Sequence, residues 1–220
     1  MDSKPKAFIF DLNGTMIDDM AFHNSAWSQL LNGPLGLNLG PEEVKAQMYG
    51  KNEELLVRLF GEGHFSQEEM SRLSIQKEHI YQTSFLPHMK LINGLDSFLH
   101  KTQYAGIKMA IGSAAIPFNV DFILDNLSIR PYFDAIVTAA DVKISKPDPE
   151  TFLKAADQLE IAYKECVVFE DSPKGVKSAS LAGMPCVALT TMHTREDFSK
   201  YPNVLFIIDD YTDPALNALF

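Results

Sequence analysis

The chain has 220 residues, 46% of them hydrophobic and 22% charged, with 12 Gly and 12 Pro, a balance that excludes disordered, collagen-like and low-complexity classes. Lys and Arg number 19 against 29 Asp and Glu, a formal charge of -10, so the overall field repels nucleic acid and anionic membrane and a phosphate-bearing ligand must be held by local charge. This length accommodates either one large α/β domain or a core with an inserted smaller domain.

The polar start Met1-Asp2-Ser3-Lys4-Pro5-Lys6 is followed at once by a strand-like run, with no long apolar leader and no stretch of 18 apolar residues. A cytoplasmic protein is expected, monomeric by default, with no nucleic-acid or membrane partner. Cys166 and Cys186 each open an apolar run and have no histidines at zinc-finger spacing, so they read as two reduced core thiols.

Six short apolar runs predict strands: Ala7 to Phe10, Lys108 to Ile111, Ala135 to Thr138, Val167 to Phe169, Cys186 to Leu189 and Leu205 to Ile208. They are continuous rather than alternating, as expected of strands covered on both faces. Helix-length stretches lie between most of them: Leu95 to Tyr104, Asn119 to Leu127, Pro149 to Leu159 and Lys174 to Ala182. The alternation predicts an α/β fold with a doubly wound parallel sheet.

The gap between Asp11 and Lys108 is far too long for one crossover. Phe22, Ala26, Leu30 and Leu31 recur near helical spacing, Pro41 with Glu42 and Glu43 opens a second helix, and Ser66-Gln67-Glu68-Glu69 is a capping-box pattern. Met70, Leu73 and Ile80 follow as an apolar face. Gly33-Pro34 and Gly61 to Gly63 break these helices, and a strand-like Phe85 to Ile92 region returns the chain to the core. The gap predicts an inserted helical domain over 20–88, with residues 1–19 and 89–220 forming the core.

In open parallel sheets ligands bind beyond the carboxyl ends of the strands. After the apolar runs stand Asp11, then Gly112-Ser113-Ala114, then Lys146-Pro147-Asp148-Pro149 past a loop, then Glu170-Asp171-Ser172. Singly, each reads as a turn or cap residue. Jointly they supply oxygen ligands for Mg²⁺, a hydroxyl for phosphate and a cation, which is what phosphoryl transfer needs.

At these residues the chain resembles the haloacid dehalogenase superfamily, whose four motifs are matched in order by Asp11-Leu12-Asn13-Gly14-Thr15, Ser113, Lys146 and Glu170-Asp171. The resemblance implies a Rossmann-like core and a carboxylate nucleophile, Asp11, that forms an aspartyl-phosphate. It implies Mg²⁺ held by the Asp11 carboxylate, the main-chain carbonyl of Asn13 and Asp171, with Glu170 nearby or acting through water. Ser113 and the amide of Ala114 would bind phosphoryl oxygens, and Lys146 would neutralise charge about the nucleophile.

Helical sequence directly after the first motif resembles the small helical cap of the beta-phosphoglucomutase-like subgroup, with Asp18, His23, Ala26 and Trp27 matching its pattern. By that resemblance His23 sits at the hinge between cap and core, Lys77 approaches the substrate, and the cap closes about hinges near Asp18 to Met20 and Phe85 to His88. Near the position where mutases of the subgroup carry a phosphate-gripping arginine, this chain has Glu53. Lys51 is left as a point charge in place of a bidentate fork. A sugar bisphosphate is therefore disfavoured. So is Schiff-base phosphonate chemistry, and Glu170-Asp171 argues against metal-free dehalogenation.

The resemblance expects an aspartate at position 13, to protonate the leaving oxygen and then deprotonate the incoming hydroxyl. Asn13 can do neither, which removes about 10²- to 10⁴-fold of rate while leaving the binding site intact. Three accounts stay open: an engineered replacement that traps a complex, a naturally slow enzyme or phosphate-ligand sensor, or a substrate whose leaving group needs little acid. The sequence thus predicts a Mg²⁺-dependent phosphatase of a small phosphorylated metabolite, with a sugar phosphomutase or a non-catalytic phosphate-ligand binding protein as alternatives.

Overall fold

The computed structural model describes residues 4–220, so Met1 to Ser3 of the polar start lie outside the described residues. The chain divides into two compact units, Met1–Asp18 with Lys90–Phe220, and Asp19–Met89.

The first unit is built on β1 (Ala7–Phe10), β2 (Lys108–Gly112), β3 (Ala135–Val137), β4 (Cys166–Glu170), β5 (Cys186–Leu189) and β6 (Val204–Ile208). All pairings are parallel, in the order β3-β2-β1-β4-β5-β6. This is a doubly wound order, with a topological switch point between β1 and β4. Successive side chains of a strand face opposite ways, and the two faces of the sheet differ. Ala7 and Ile9 of β1, with Val168 of β4, face an aliphatic core shared with Phe152, Ala155 and Val176. Phe8, Phe10 and Phe169 face an aromatic cluster with Phe98, Tyr211 and Phe220. Burial of each large side chain contributes about 1.5–3 kcal/mol, which is why the central strands carry no polar residue until their ends.

The unit's helices are α5 (Leu95–Tyr104), α6 (Pro117–Asn126), α7 (Glu150–Leu159), α8 (Pro173–Leu181) and the short α9 (Arg195–Phe198). The predicted strands and helices are present, with bounds differing by at most two residues. Cys166 and Cys186 are free and buried.

The second unit holds α1 (Met20–Asn32), α2 (Pro41–Gln47), α3 (Asn52–Phe60) and α4 (Gln67–Phe85). Their apolar faces meet in a core of Trp27, Leu30, Leu31, Val44, Leu55, Leu56 and Leu73. Ser66 caps α4 as its pattern predicts: its Oγ accepts from Glu69 N at 3.2 Å while Glu69 Oε2 accepts from Ser66 N at 2.8 Å. Gly61 ends α3 at φ +92°, a conformation that penalises residues with a Cβ.

Two expectations for this segment need correcting. The buried stripe of α4 is Leu73, Ser74, Lys77, Glu78, Tyr81 and Phe85, so the face is polar in its middle, and Met70 and Ile80 are only half-buried. Phe85 to Ile92 does not form a strand. Phe85 ends α4, Leu86–His88 makes a 3₁₀ turn containing Pro87, and only Leu91 makes a bridge, to Ile17. Among the described residues no helix is long and apolar enough to cross a membrane.

Candidate active site

β1 and β4 end side by side. Phe10 is level with Phe169, and Asp11 N donates to Phe169 O at 3.0 Å, which sets Asp11 beside Glu170 at the carboxyl edge of the sheet. Lys146 arrives on the loop between β3 and α7, where its bond to Pro147 is cis. Its Nζ donates to Asp11 Oδ1 at 2.6 Å and to Glu170 Oε1 at 2.8 Å. Its ammonium lies over the Phe152 ring, 4.6 Å from the centroid.

Glu170 is held at both oxygens. Oε2 accepts from Ser172 N at 2.7 Å and Ser172 Oγ at 3.0 Å, and the same hydroxyl caps α8 by accepting from Gly175 N. Gly175 has to lack a side chain, since a Cβ there would sit 1.7 Å from Glu170 Oε1. Asp171 Oδ1 accepts from Thr15 Oγ1 at 3.3 Å.

Asp11, Glu170 and Asp171 are all buried, and each presents a carboxylate oxygen within 4.8 Å of the others. Three carboxylates thus face one ammonium. Burial, followed by the charge of Glu170, raises the Asp11 pKa from 3.8 to about 7 against the pull of Lys146. Burial and the neighbouring Glu170 and Asp11 raise Asp171 well above the usual carboxylate range. At Lys146 burial opposes the charge, but Asp11 and Glu170 outweigh it and hold the ammonium protonated. An all-oxygen donor set with excess negative charge suits a hard divalent cation, and the space left by Gly14 against Asp171 keeps the carboxylate edge clear of side chains.

Asn13 is half-buried in the turn that follows Asp11 and makes a bridge with Ile17. Ser113 and Ala114 leave β2 at the same edge, one and two residues past the level of Asp11. Ser113 is buried, its N–H donates to Val137 O, and its Oγ accepts from Ala115 N at 3.1 Å.

The other expected site residues lie in the helical unit. Lys77 Nζ is 2.6 Å from His23 Nδ1 and 2.9 Å from Glu78 Oε1. Asp19 Oδ2 lies 3.2 Å from His23 Nε2 and accepts from Tyr81 Oη at 2.5 Å, and the Tyr81 ring stacks on His23 at 3.8 Å. Glu78 Oε1 also accepts from Asn52 Nδ2 at 2.9 Å. Burial lowers the Lys77 pKa, opposed by Glu78. Lys51 stands at the N-cap of α3, its N–H donating to Glu54 Oε2 at 3.0 Å.

The structure therefore brings Asp11, Lys146, Glu170 and Asp171 together, and separately joins His23 to Lys77. Sequence reasoning gave no role to Thr15, Ser172, Asp19 or Glu78. Thr15 stands inside the first motif and Ser172 directly follows the fourth, so both were visible. Glu78 reads as an ordinary surface glutamate until the phase of α4 is known.

Residues 8–189 match the family model of haloacid dehalogenase-like hydrolases. The chain is 32% identical to Hexitol phosphatase A of Escherichia coli over 208 residues, covering 94% of this chain and 93% of that one. It is 30% identical to the Fructose-1-phosphate phosphatase YqaB of the same organism, over 81% and 93% of the two chains. The solved beta-phosphoglucomutase of Clostridium difficile superposes with a TM-score of 0.81 at 27% identity, covering 94% of this chain and 92% of the other. On the sheet order, the acidic edge and a family match over most of its length, the chain belongs to the haloacid dehalogenase-like hydrolases.

Proposed function

We propose that this protein is a phosphatase of a small sugar- or polyol-type monophosphate, with Asp11 as nucleophile. The observation that carries the reading is the contact of Lys146 with both Asp11 and Glu170 beside Asp171 at the switch point of the sheet. The two similar phosphatases of Escherichia coli support the substrate class.

The residues fit Mg²⁺, which would be held by the Asp11 carboxylate, the Asn13 main-chain carbonyl and Asp171, with Glu170 alongside. When bound it would supply Lewis-acid stabilisation of charge on the phosphoryl oxygens. Asp11 attacks phosphorus, the bond to the leaving oxygen breaks, and the aspartyl-phosphate is then cleaved by water to free phosphate and Asp11. Lys146 opposes the burial that raises the Asp11 pKa, favouring the ionised nucleophile, and accompanies the negative charge through both steps. Ser113 Oγ and the Ala114 N–H are the donors for phosphoryl oxygens.

Asn13 has no acidic proton to transfer to the leaving oxygen and no basic atom to take one from water. Both steps lose general acid/base help, about 3 to 5 kcal/mol of barrier. The unit Asp19–Met89 is read as the cap that selects the substrate. Two of its cations are already engaged: Lys77 pairs with Glu78, and the Arg58 guanidinium donates to Gln47 O and Tyr49 O and lies over the Tyr49 ring. With Glu53 near the position of the mutases' phosphate-gripping arginine, this supports a single phosphate over a bisphosphate, and hydrolysis over mutase chemistry.

The test is a panel of sugar phosphates, polyol phosphates, nucleotides and pyrophosphate, run with Mg²⁺ on this chain and on Asn13→Asp. A rise of about 10²-fold or more on polyol or sugar monophosphates supports the phosphatase. Conversion of one sugar phosphate into its isomer favours the mutase. A flat panel, with phosphate still bound, favours a ligand-binding protein.

A further inference from the structure

The turn that carries Asn13 is fastened by two side chains from the far end of the chain. Thr191, in the loop after β5, donates its hydroxyl to Gly14 O at 2.5 Å, and Tyr211, past β6, donates to Thr15 O at 3.0 Å. Two consecutive carbonyls are thus held by residues that lie 177 and 196 positions away in the chain. The N–H groups of these two peptides, Thr15 N and Met16 N, both donate to Leu12 O, at 3.3 and 2.8 Å, and on the peptide before them Gly14 N donates to Ile17 O at 2.8 Å.

A trans peptide is planar, with C=O and N–H pointing opposite ways. Fixing the Gly14 N–H on Ile17 therefore fixes the Asn13 carbonyl away from it. The next two planes, Gly14–Thr15 and Thr15–Met16, are the ones Thr191 and Tyr211 hold; released, they would let the turn twist about Gly14 and tilt the Asn13 plane with it.

Both hydroxyls are themselves firmly placed. Thr190, the neighbour of Thr191, donates to Asp209 Oδ1 at 2.5 Å, and the same oxygen accepts from Arg195 at 2.9 Å. Tyr211 N donates to Asn93 O at 3.0 Å. The Tyr211 ring is buried against Phe169 and Phe10, the residues that directly precede Glu170 and Asp11.

We propose that Thr191 and Tyr211 are positioning residues of the active site, whose hydroxyls lock the Asn13–Met16 turn and so set the direction of the Asn13 carbonyl relative to Asp11 and Asp171. The proposal rests on the phosphoryl-transfer reading above. It assigns a task to the chain beyond β5, which the four motifs do not reach. Both hydroxyls donate to main-chain carbonyls of the turn, so their loss should act through the turn.

The test uses the full chain and its variants Thr191→Val, Thr191→Ser, Tyr211→Phe and the Val/Phe double variant. Three quantities are read: calorimetric binding of Mg²⁺ with a metallofluoride phosphate mimic, hydrogen exchange at the amides of residues 12–17, and Tm. The double variant is expected to bind about 10- to 100-fold more weakly, the range for groups that orient metal ligands. Exchange should rise in residues 12–17 while core strands stay protected, and Thr191→Ser should keep parent behaviour. A parent that binds, with a double variant equal to it in binding and exchange, overturns the proposal alone. Exchange that rises evenly through the core with falling Tm also overturns it, because the residues then act only on stability. A parent that binds neither Mg²⁺ nor the mimic overturns the phosphoryl-transfer reading, and the proposal with it.

Discussion

A Cβ at residue 14 would lie 2.1 Å from Asp171 Oδ2, so the carboxylate occupies space that only glycine leaves open. Gly14 also has φ +76°, where any side chain adds strain. Gly14→Ala should therefore displace Asp171 and abolish Mg²⁺ binding. Gly36, at φ +70° with nothing within 4 Å of its Cβ position, is the control for strain alone. Gly36→Ala should cost about 1 kcal/mol and Gly14→Ala clearly more, roughly 2–4 kcal/mol, by denaturant unfolding.

The acidic cluster makes metal-free stability fall with rising pH. Folding raises the Asp11 pKa from 3.8 to about 7, so the folded chain binds this proton more tightly than the unfolded one. The contribution is full below about pH 4 and is lost as the pH climbs to 7. Asp171 shifts in the same direction. On the proposed function, Mg²⁺ would replace those protons and favour the ionised carboxylates. The difference in Tm between Mg²⁺ and chelator should thus widen from pH 5 to pH 7.5, and calorimetry in buffers of different ionisation enthalpy should detect proton release on binding. A pH-independent difference would contradict the shared site.

Lys146 is the one cation that contacts both Asp11 and Glu170 among the described residues. Lys146→Met keeps a side chain of similar length but strands two buried carboxylates. A loss of about 3–5 kcal/mol is expected in chelator at neutral pH, the usual cost of breaking a buried pair from one side. Acidification or added Mg²⁺ should recover part of it. Turnover of the Asn13→Asp form on its best substrate should fall when Lys146→Met is added.

In the helical unit Lys77 and Glu78 pair at 2.9 Å, each about 2% exposed, with Glu78 Oε2 left without a hydrogen-bond partner. Burial costs both ions, and their attraction offsets it. Lys77→Met and Glu78→Gln should each destabilise the fold by about 3–5 kcal/mol, whereas the double variant should lose less than the sum. Additive losses in a double-mutant cycle would mean that the two charges do not stabilise each other.

The sequence by itself determined the strands, because the central ones are buried on both faces and read as unbroken apolar runs such as Ala7 to Phe10. It also determined which residues cap them, since Asp11, Ser113, Lys146 and Glu170-Asp171 all interrupt or follow such runs. The Ser66 box was legible because capping needs only four adjacent residues. Helix α3 went unread between Gly50 and Gly61, and α4 was given an apolar face, because helical phase is set by which side its neighbours cover. The buried partnership of Lys77 with Glu78 followed from that phase. Phe85 to Ile92 reads as a strand because it is apolar, yet among the described residues its pairing is limited to the Leu91–Ile17 bridge, and Pro87 has no N–H to extend it. The hold of Thr191 and Tyr211 on Gly14 and Thr15 was decided by tertiary structure alone: main-chain carbonyls have no signature in sequence, and only the parallel sheet brings the ends of β5 and β6 to the turn after β1.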